Sequence, residues 1–170
     1  MTKIAICGYS PTLSQAPFYD NEWLIYSMNH HTEFYKRFDL HFDLHDTTKM
    51  KSNDLYYNII KERKEKSILT GIDTRFDKAT IYPQKKIMDK YGGFFTCSAA
   101  WMIAYAIEQN PTDIGIYGID CAYESEYIEQ RPSITRMIGI AEGKGINLHY
   151  PNGCRLFNKK ALYWNKTGKM

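Results

Sequence analysis

Between Ala99 and Ile107 the chain reads Ala-Ala-Trp-Met-Ile-Ala-Tyr-Ala-Ile, with no charged residue on any face. A helix of that composition must be buried on nearly every side. Ser98 or Thr96 opens it, and Asn110 followed by Pro111 stops it. Asp113 to Asp120 follows as an apolar strand that ends in a turn at Gly118, Ile119 and Asp120. A second helix is expected from Arg131, Pro132 and Ser133, because proline suits the first helical position and serine caps. Its apolar residues Ile134, Met137, Ile138 and Ala141 keep the helical period, and Gly143 and Gly145 close it. Ile146 to Tyr150 is a last strand, stopped by Pro151. The order helix, strand, helix, strand constrains the fold strongly: it builds a sheet of parallel strands whose loops gather at the carboxyl edge.

The first half of the chain fits the same scheme. Lys3 to Cys7 is a short apolar strand ended by Gly8, Tyr9, Ser10 and Pro11. Leu24 to Met28 is a second strand, and Thr32 to Phe38 a short helix capped by Thr32. Leu40 to Leu44 alternates as a third strand, and Ser52 or Asn53 caps a helix through Lys64. Ser67 to Thr70 and Ala79 to Tyr82 are further short strands. The expected architecture is α/β: a single Rossmann-like domain over residues 1–170, with a mostly parallel sheet and helices on both faces. Its core should include Ile4, Ile6, Ile25, Ile103, Ala104, Ile107, Ile114, Ile116, Ile138 and Leu148.

Composition narrows the function. At 170 residues the chain can bury a core without disulfides or metals. Cys7, Cys97, Cys121 and Cys154 form no C-x-x-C pair, and a reduced, cytoplasmic protein is expected, host cytoplasm if phage-encoded. The longest apolar run is too short to span a membrane, and the first residues lack the apolar region of a secretory signal. A net charge of +3 is too mild for a dedicated nucleic-acid binder. The basic run at Lys61 to Lys66 is interleaved with acids, and Lys159, Lys160, Lys166 and Lys169 read as a solubilising tail. The 14 tyrosines, 8 phenylalanines and 3 tryptophans fit either a groove for a planar ligand or a homo-oligomer interface.

Four groups of residues carry chemistry. Gly8 and Ser10, after the first strand, let backbone N–H groups approach a phosphate. Thr96 and Ser98, at the start of the buried helix, offer hydroxyls and free N–H groups to an anion or a ribose. Gly118 turns the chain, so that Asp120 is delivered at a strand end where it could accept sugar hydroxyls; Tyr123, Glu124 and Gln130 to Arg131 follow. His41, Asp43 and His45 share one strand face if the strand runs that far, which would suit a transition metal; His45 alone, near the strand end, suits a general base. Asn29, before His30 and His31, lies at the same edge and could read a base or a sugar.

Taken together, Cys7 to Leu13, Ser27 to the strand-end Asn29, Thr96 to Ser98 with its Ala-rich helix, and Ile116 to Asp120 resemble the corresponding blocks of the bacterial, Campylobacter-type sialyltransferases. The opening is similar also to the motility accessory factor and pterin-pyrophosphokinase-like Rossmann proteins. Glu126 to Tyr127, Gln130 to Ser133 and Ile138 to Ala141 resemble a small phage Rossmann-like group. Tyr9 and Ser10 depart from the sialyltransferase loop. The resemblance implies a small glycosyltransferase-like enzyme that binds a nucleotide or nucleotide sugar and carries out a displacement at the anomeric carbon of the sugar, with a His or Asp as base. Gly8, Ser10, Asn29, Thr96, Ser98 and Gly118 would cradle the nucleotide, and Arg131 would neutralise phosphate. Asp120 would contact sugar or acceptor, with His45 or His30 as base. The acceptor would be a small molecule or nucleic acid. Alternatives are a nucleotide-binding protein that sequesters or regulates without turnover, and a metal-dependent hydrolase or transferase using His41, Asp43, His45 and Asp120.

Overall fold

A strand flanked on both edges and covered on both faces reads as an unbroken apolar run. β1 (Lys3–Cys7) is one: Ile4, Ala5, Ile6 and Cys7 are all buried. The computed structural model, which describes residues 2–29, 32–52, 54–121 and 125–157, sets β1 inside a seven-stranded sheet. Its neighbours are β2 (Trp23–Met28) and β6 (Asp113–Tyr117). Beyond β2 lie β3 (Leu40–Asp43), β4 (Ser67–Leu69) and β5 (Thr80–Ile81), and beyond β6 lies β7 (Asn147–His149). The order is β5-β4-β3-β2-β1-β6-β7, and every pairing is parallel. The expected Rossmann-like α/β sheet is therefore present.

The alternation of side chains divides the core between two faces. On one face, Ile4, Ile6, Tyr26, Phe42, Ile114 and Ile116 pack with α3 (Ser98–Glu108) and α4 (Ser125–Gly143). Ile87 and Tyr91 of α2 (Gln84–Tyr91) join them. On the other face, Ala5, Cys7 and Ile25 meet Leu13, Ala16, Phe18 and Tyr35. Leu69 there packs on Ile60 of α1 (Leu55–Arg63) and on Phe76. Over β1 and β2 that second face is covered by a 3₁₀ turn (Pro11–Gln15) and irregular chain, not by a helix. The expected core residues are all buried except Leu148, which is half-buried on the edge strand β7.

Several boundaries differ from the sequence reading, each for a tertiary reason. The helix expected over 32–38 is only a 3₁₀ turn at Thr32–Phe34. The Arg37 guanidinium donates to the carbonyls of Phe18, Asp20 and Trp23, and the Asp39 carboxylate accepts the Ile25 N–H at 2.7 Å. Those bonds fix the chain after the turn against the residues before and within β2. α2 was not anticipated, because its buried stripe is only Ile87 and Tyr91 among exposed lysines. α1 follows Asp54 and not Ser52; Asn53, the other expected cap, lies outside the described residues. α3 opens at Ser98, one of the two expected positions, with Cys97 before it and no side-chain cap bond. α4 begins at Ser125, so Pro132 sits inside it and does not open it. The sixth strand ends at Tyr117, three residues short of Asp120, because Gly118 turns the chain there.

No described helix is long and apolar enough to cross a membrane. All four cysteines are free, with Cys7 and Cys121 buried. Lys159, Lys160, Lys166 and Lys169 lie outside the described residues.

Candidate functional site

The chain leaves β1 toward β2 across one face of the sheet and leaves β6 toward β7 through α4 on the other. Where the direction of winding reverses, the carboxyl-end loops part and open a crevice. Here that point lies between β1 and β6. Two glycines let their loops meet backbone to backbone. A Cβ on Gly8 would lie 2.3 Å from the Gly118 carbonyl oxygen, and one on Gly118 would lie 2.8 Å from Gly8. Gly118 also has φ of +67°, a conformation that L side chains adopt at a cost. The Gly8 N–H donates to the Tyr117 carbonyl at 2.9 Å and the Ser10 N–H to the Gly118 carbonyl at 3.0 Å. Thr12 fastens the junction: its hydroxyl donates to Asp120 Oδ1 at 2.9 Å and accepts the Gly118 N–H at 3.1 Å.

Above this junction is a cavity of about 370 Å³. Gly8, Tyr9 and Ser10 line it from β1, and Gly118, Ile119, Asp120 and Cys121 from β6. Asn29 enters from the end of β2, His45 from beyond β3, Tyr56 from α1, and Cys97 and Ser98 from the start of α3. Asn29 has φ of +55°, which asparagine tolerates better than most residues. Its N–H donates to the Phe42 carbonyl at 3.1 Å, while its Oδ1 is buried with no hydrogen-bond partner among the described residues. At the first turn of α3 backbone N–H groups have no intrahelical acceptor, which favours an anion.

His45 is held by a buried carboxylate. Asp43 is 0% exposed, and its Oδ1 accepts from His45 Nδ1 at 2.7 Å and from the His45 N–H at 3.2 Å. The hydrogen bond to Asp43 holds the His45 pKa above the ordinary imidazole value, against a smaller opposing effect of burial. With Nδ1 engaged, Nε2 is the nitrogen left to a ligand. The ring is half exposed, and it meets Tyr56 edge-on with centroids 4.9 Å apart.

His41 is a different histidine. It is fully buried, with Nδ1 3.0 Å from Ser27 Oγ, and burial pushes its pKa down to about 4, so it is neutral at physiological pH. Among the described residues no group of three His, Cys, Asp or Glu side chains is arranged to hold a metal ion. The ligand set expected from His41, Asp43, His45 and Asp120 is thus not assembled: Asp43 is committed to His45, and β3 ends before His45.

Of the residues singled out in sequence, Gly8, Ser10, Asn29, His45, Ser98, Gly118 and Asp120 line the one cavity. Thr96 lines the neighbouring cavity, and its hydroxyl is 2.7 Å from Ser133 Oγ of α4. The Arg131 guanidinium donates to the Cys121 carbonyl at 2.5 Å, behind the cavity wall and not in it. His30, His31, Tyr123 and Glu124 lie outside the described residues. Tyr56 and the orienting role of Asp43 were missed. Tyr56 follows the start of a helix and looks like any partly buried helical aromatic until the end of β3 is seen beside it.

Two solved structures share this architecture. Both are of the sialyltransferase CstII from Campylobacter jejuni, one in complex with the substrate analogue cytidine-5'-monophosphate and one in complex with CMP-3FNeuAc. Their TM-scores are 0.62 and 0.63, each at 15% sequence identity over 91% of this chain and 80% and 81% of that chain. The fold is therefore sialyltransferase-like. No protein-family model matches the chain, and no curated protein matches it.

Proposed function

We propose that the chain is a small glycosyltransferase-like enzyme that binds a nucleotide sugar in the cavity at the carboxyl ends of β1, β2, β3 and β6. The observation that carries this reading is the placement of His45, oriented by a buried carboxylate, on the wall of the same cavity that the Gly8–Gly118 junction floors. The structural neighbours, which hold a cytidine nucleotide and its sugar derivative, support the ligand class.

In this reading the phosphate rests on the N–H groups after β1 and at the start of α3, with the Ser10 and Ser98 hydroxyls beside it. The unpartnered Asn29 carbonyl accepts from the base or the sugar. His45 Nε2 takes the proton of the acceptor hydroxyl as its oxygen bonds to the anomeric carbon. The bond from that carbon to the nucleotide phosphate breaks, and the nucleotide leaves with the electron pair. Asp43 fixes the tautomer and stabilises the imidazolium that forms. Asp120, held by Thr12, faces the sugar. Arg131 serves the wall through Cys121.

A second reading, nucleotide binding without turnover, draws on the half-exposed ring of His45, since catalytic sites generally exclude water. Thermal unfolding against a panel of nucleotides and nucleotide sugars, with mass spectrometry of the ligand afterwards, separates the two. A nucleotide at about 100 times its Kd adds roughly 2.7 kcal/mol to stability. Consumption of the sugar that falls by about 10²–10⁴-fold in His45→Ala, with the nucleotide shift retained, is the enzyme's signature. A shift with the ligand returned intact under all acceptors tried favours the binding protein, and no shift with any nucleotide removes both.

A further inference from the structure

A second cavity, of about 320 Å³, adjoins the first and shares Cys97 and Ser98 with it as a common wall. Phe95 and Trp101 lie in it as a parallel stack, centroids 3.8 Å apart and planes 12° from each other. Tyr82 stands edge-on to Trp101, and its hydroxyl donates to the Trp101 carbonyl at 2.7 Å, which fixes the platform to α3. Thr70 and Gln84 supply a hydroxyl and an amide at the rim. Among the described residues its lining carries no charged side chain. His45 stands at the border between the two cavities. It lines the first, its predecessor Leu44 lines the second, and the Thr70 hydroxyl donates to the His45 carbonyl at 3.1 Å.

We infer that this second cavity is the acceptor subsite and that it takes a neutral saccharide. The inference rests on the glycosyltransferase reading of the first cavity. A pyranose offers an apolar face of C–H groups and an edge of hydroxyls. A rigid aromatic platform rimmed by a hydroxyl and an amide complements both, whereas a lining without lysine or arginine lacks the cations that bind a polyanion such as nucleic acid. The position also satisfies the chemistry. An acceptor seated against the Phe95–Trp101 pair presents a hydroxyl past the shared wall toward the donor, beside the imidazole that removes its proton. The O–H proton goes to His45, the new C–O bond forms at the anomeric carbon, and the nucleotide leaves with the bonding electrons.

The test uses the whole chain with methyl β-glucopyranoside as a neutral pyranoside, a short oligothymidylate as the polyanion, and saturation-transfer NMR as the readout. The nucleotide-induced melting shift is followed in parallel. Transfer to the pyranoside should weaken about fivefold or more in Trp101→Leu, which keeps apolar bulk, and also fall in Gln84→Ala, whose side chain is exposed. The nucleotide shift should persist in both variants, which shows that they fold. No transfer to the pyranoside with the nucleotide shift intact overturns the subsite and leaves the donor reading standing. Transfer that neither variant changes, or transfer to the oligothymidylate in place of the pyranoside, also overturns it. Loss of both the pyranoside signal and the nucleotide shift in the unaltered protein removes the subsite and the donor reading together.

Discussion

His45 shows how one buried neighbour gives a side chain a role. An exposed imidazole titrates near its ordinary value and points wherever solvent allows. Bonded to the fully buried Asp43, it has a set orientation, a defined tautomer and a raised pKa. A base must be neutral to accept a proton, so turnover should rise with pH through a limb above the ordinary value of 6.5. In Asp43→Asn the cause of the increase is gone, and the limb should move to lower pH; a pH profile and an NMR titration of the His45 ring both read it. The stability effect has the opposite sense. Because the folded pKa is raised, the pair stabilises fully below the unfolded value and loses that contribution as pH rises through the folded one. The glycines argue similarly from local geometry. Gly118→Ala puts a side chain at φ of +67° and presses it on Gly8, and should cost about 1–3 kcal/mol with weaker nucleotide binding. Gly139→Ala in α4 meets nothing within 4 Å and should stabilise by about 0.4–1 kcal/mol, as chemical denaturation would show.

At the scale of elements, α4 violates a local rule. Pro132 lies inside the helix, has no N–H to donate to the carbonyl four residues back, and is exposed. The neighbouring Ser133 is buried, its hydroxyl donating to the Gln130 carbonyl at 3.0 Å and lying 2.7 Å from Thr96 Oγ1. Those bonds tie the middle of α4 to the residues just before α3, beside the shared wall of the two cavities. Pro132→Ala should restore the missing backbone bond and raise stability by up to about 3 kcal/mol, read as a higher denaturation midpoint. A loss of stability would mean that the proline shapes the contact with Thr96. α3, by contrast, is buried as its composition requires: Ala100, Met102, Ile103 and Ala104 are all 0% exposed.

Over the whole molecule, the site lies where the winding of the sheet reverses. Loops from both sides of that point meet at Gly8 and Gly118, and the ends of β2 and β3 bring Asn29 and His45 across from them. A ligand spanning that junction touches loops separated by most of the chain, as the Thr12–Asp120 bond already does. Nucleotide binding should therefore protect the amides of both loops from hydrogen exchange together. Protection of one loop alone would place the ligand elsewhere.

Much of this was legible in the sequence. The apolar runs of β1 and β6 and the all-round apolar α3 required burial, and burial of such segments in alternation requires a parallel sheet between helices. Gly8, Gly118 and Asp120 were readable as strand-end residues because the strands that deliver them are short and unmistakably apolar. The remainder depended on contacts between distant segments. The 32–38 segment has helical potential but stops after one 3₁₀ turn, where Arg37 and Asp39 bond to residues before and within β2. Arg131 reads as a free cation until the Cys121 carbonyl is found against it. Asp43 reads as one of a set of metal ligands until the end of β3 turns His45 back onto it. Periodicity and composition are properties of neighbours along the chain, and they determined the layers, the core and the edge where a ligand belongs. Which side chains are spent on structure and which are left facing the cavity is decided by partners brought together only when the chain folds, because a hydrogen bond or a burial cost exists only once both groups share a place.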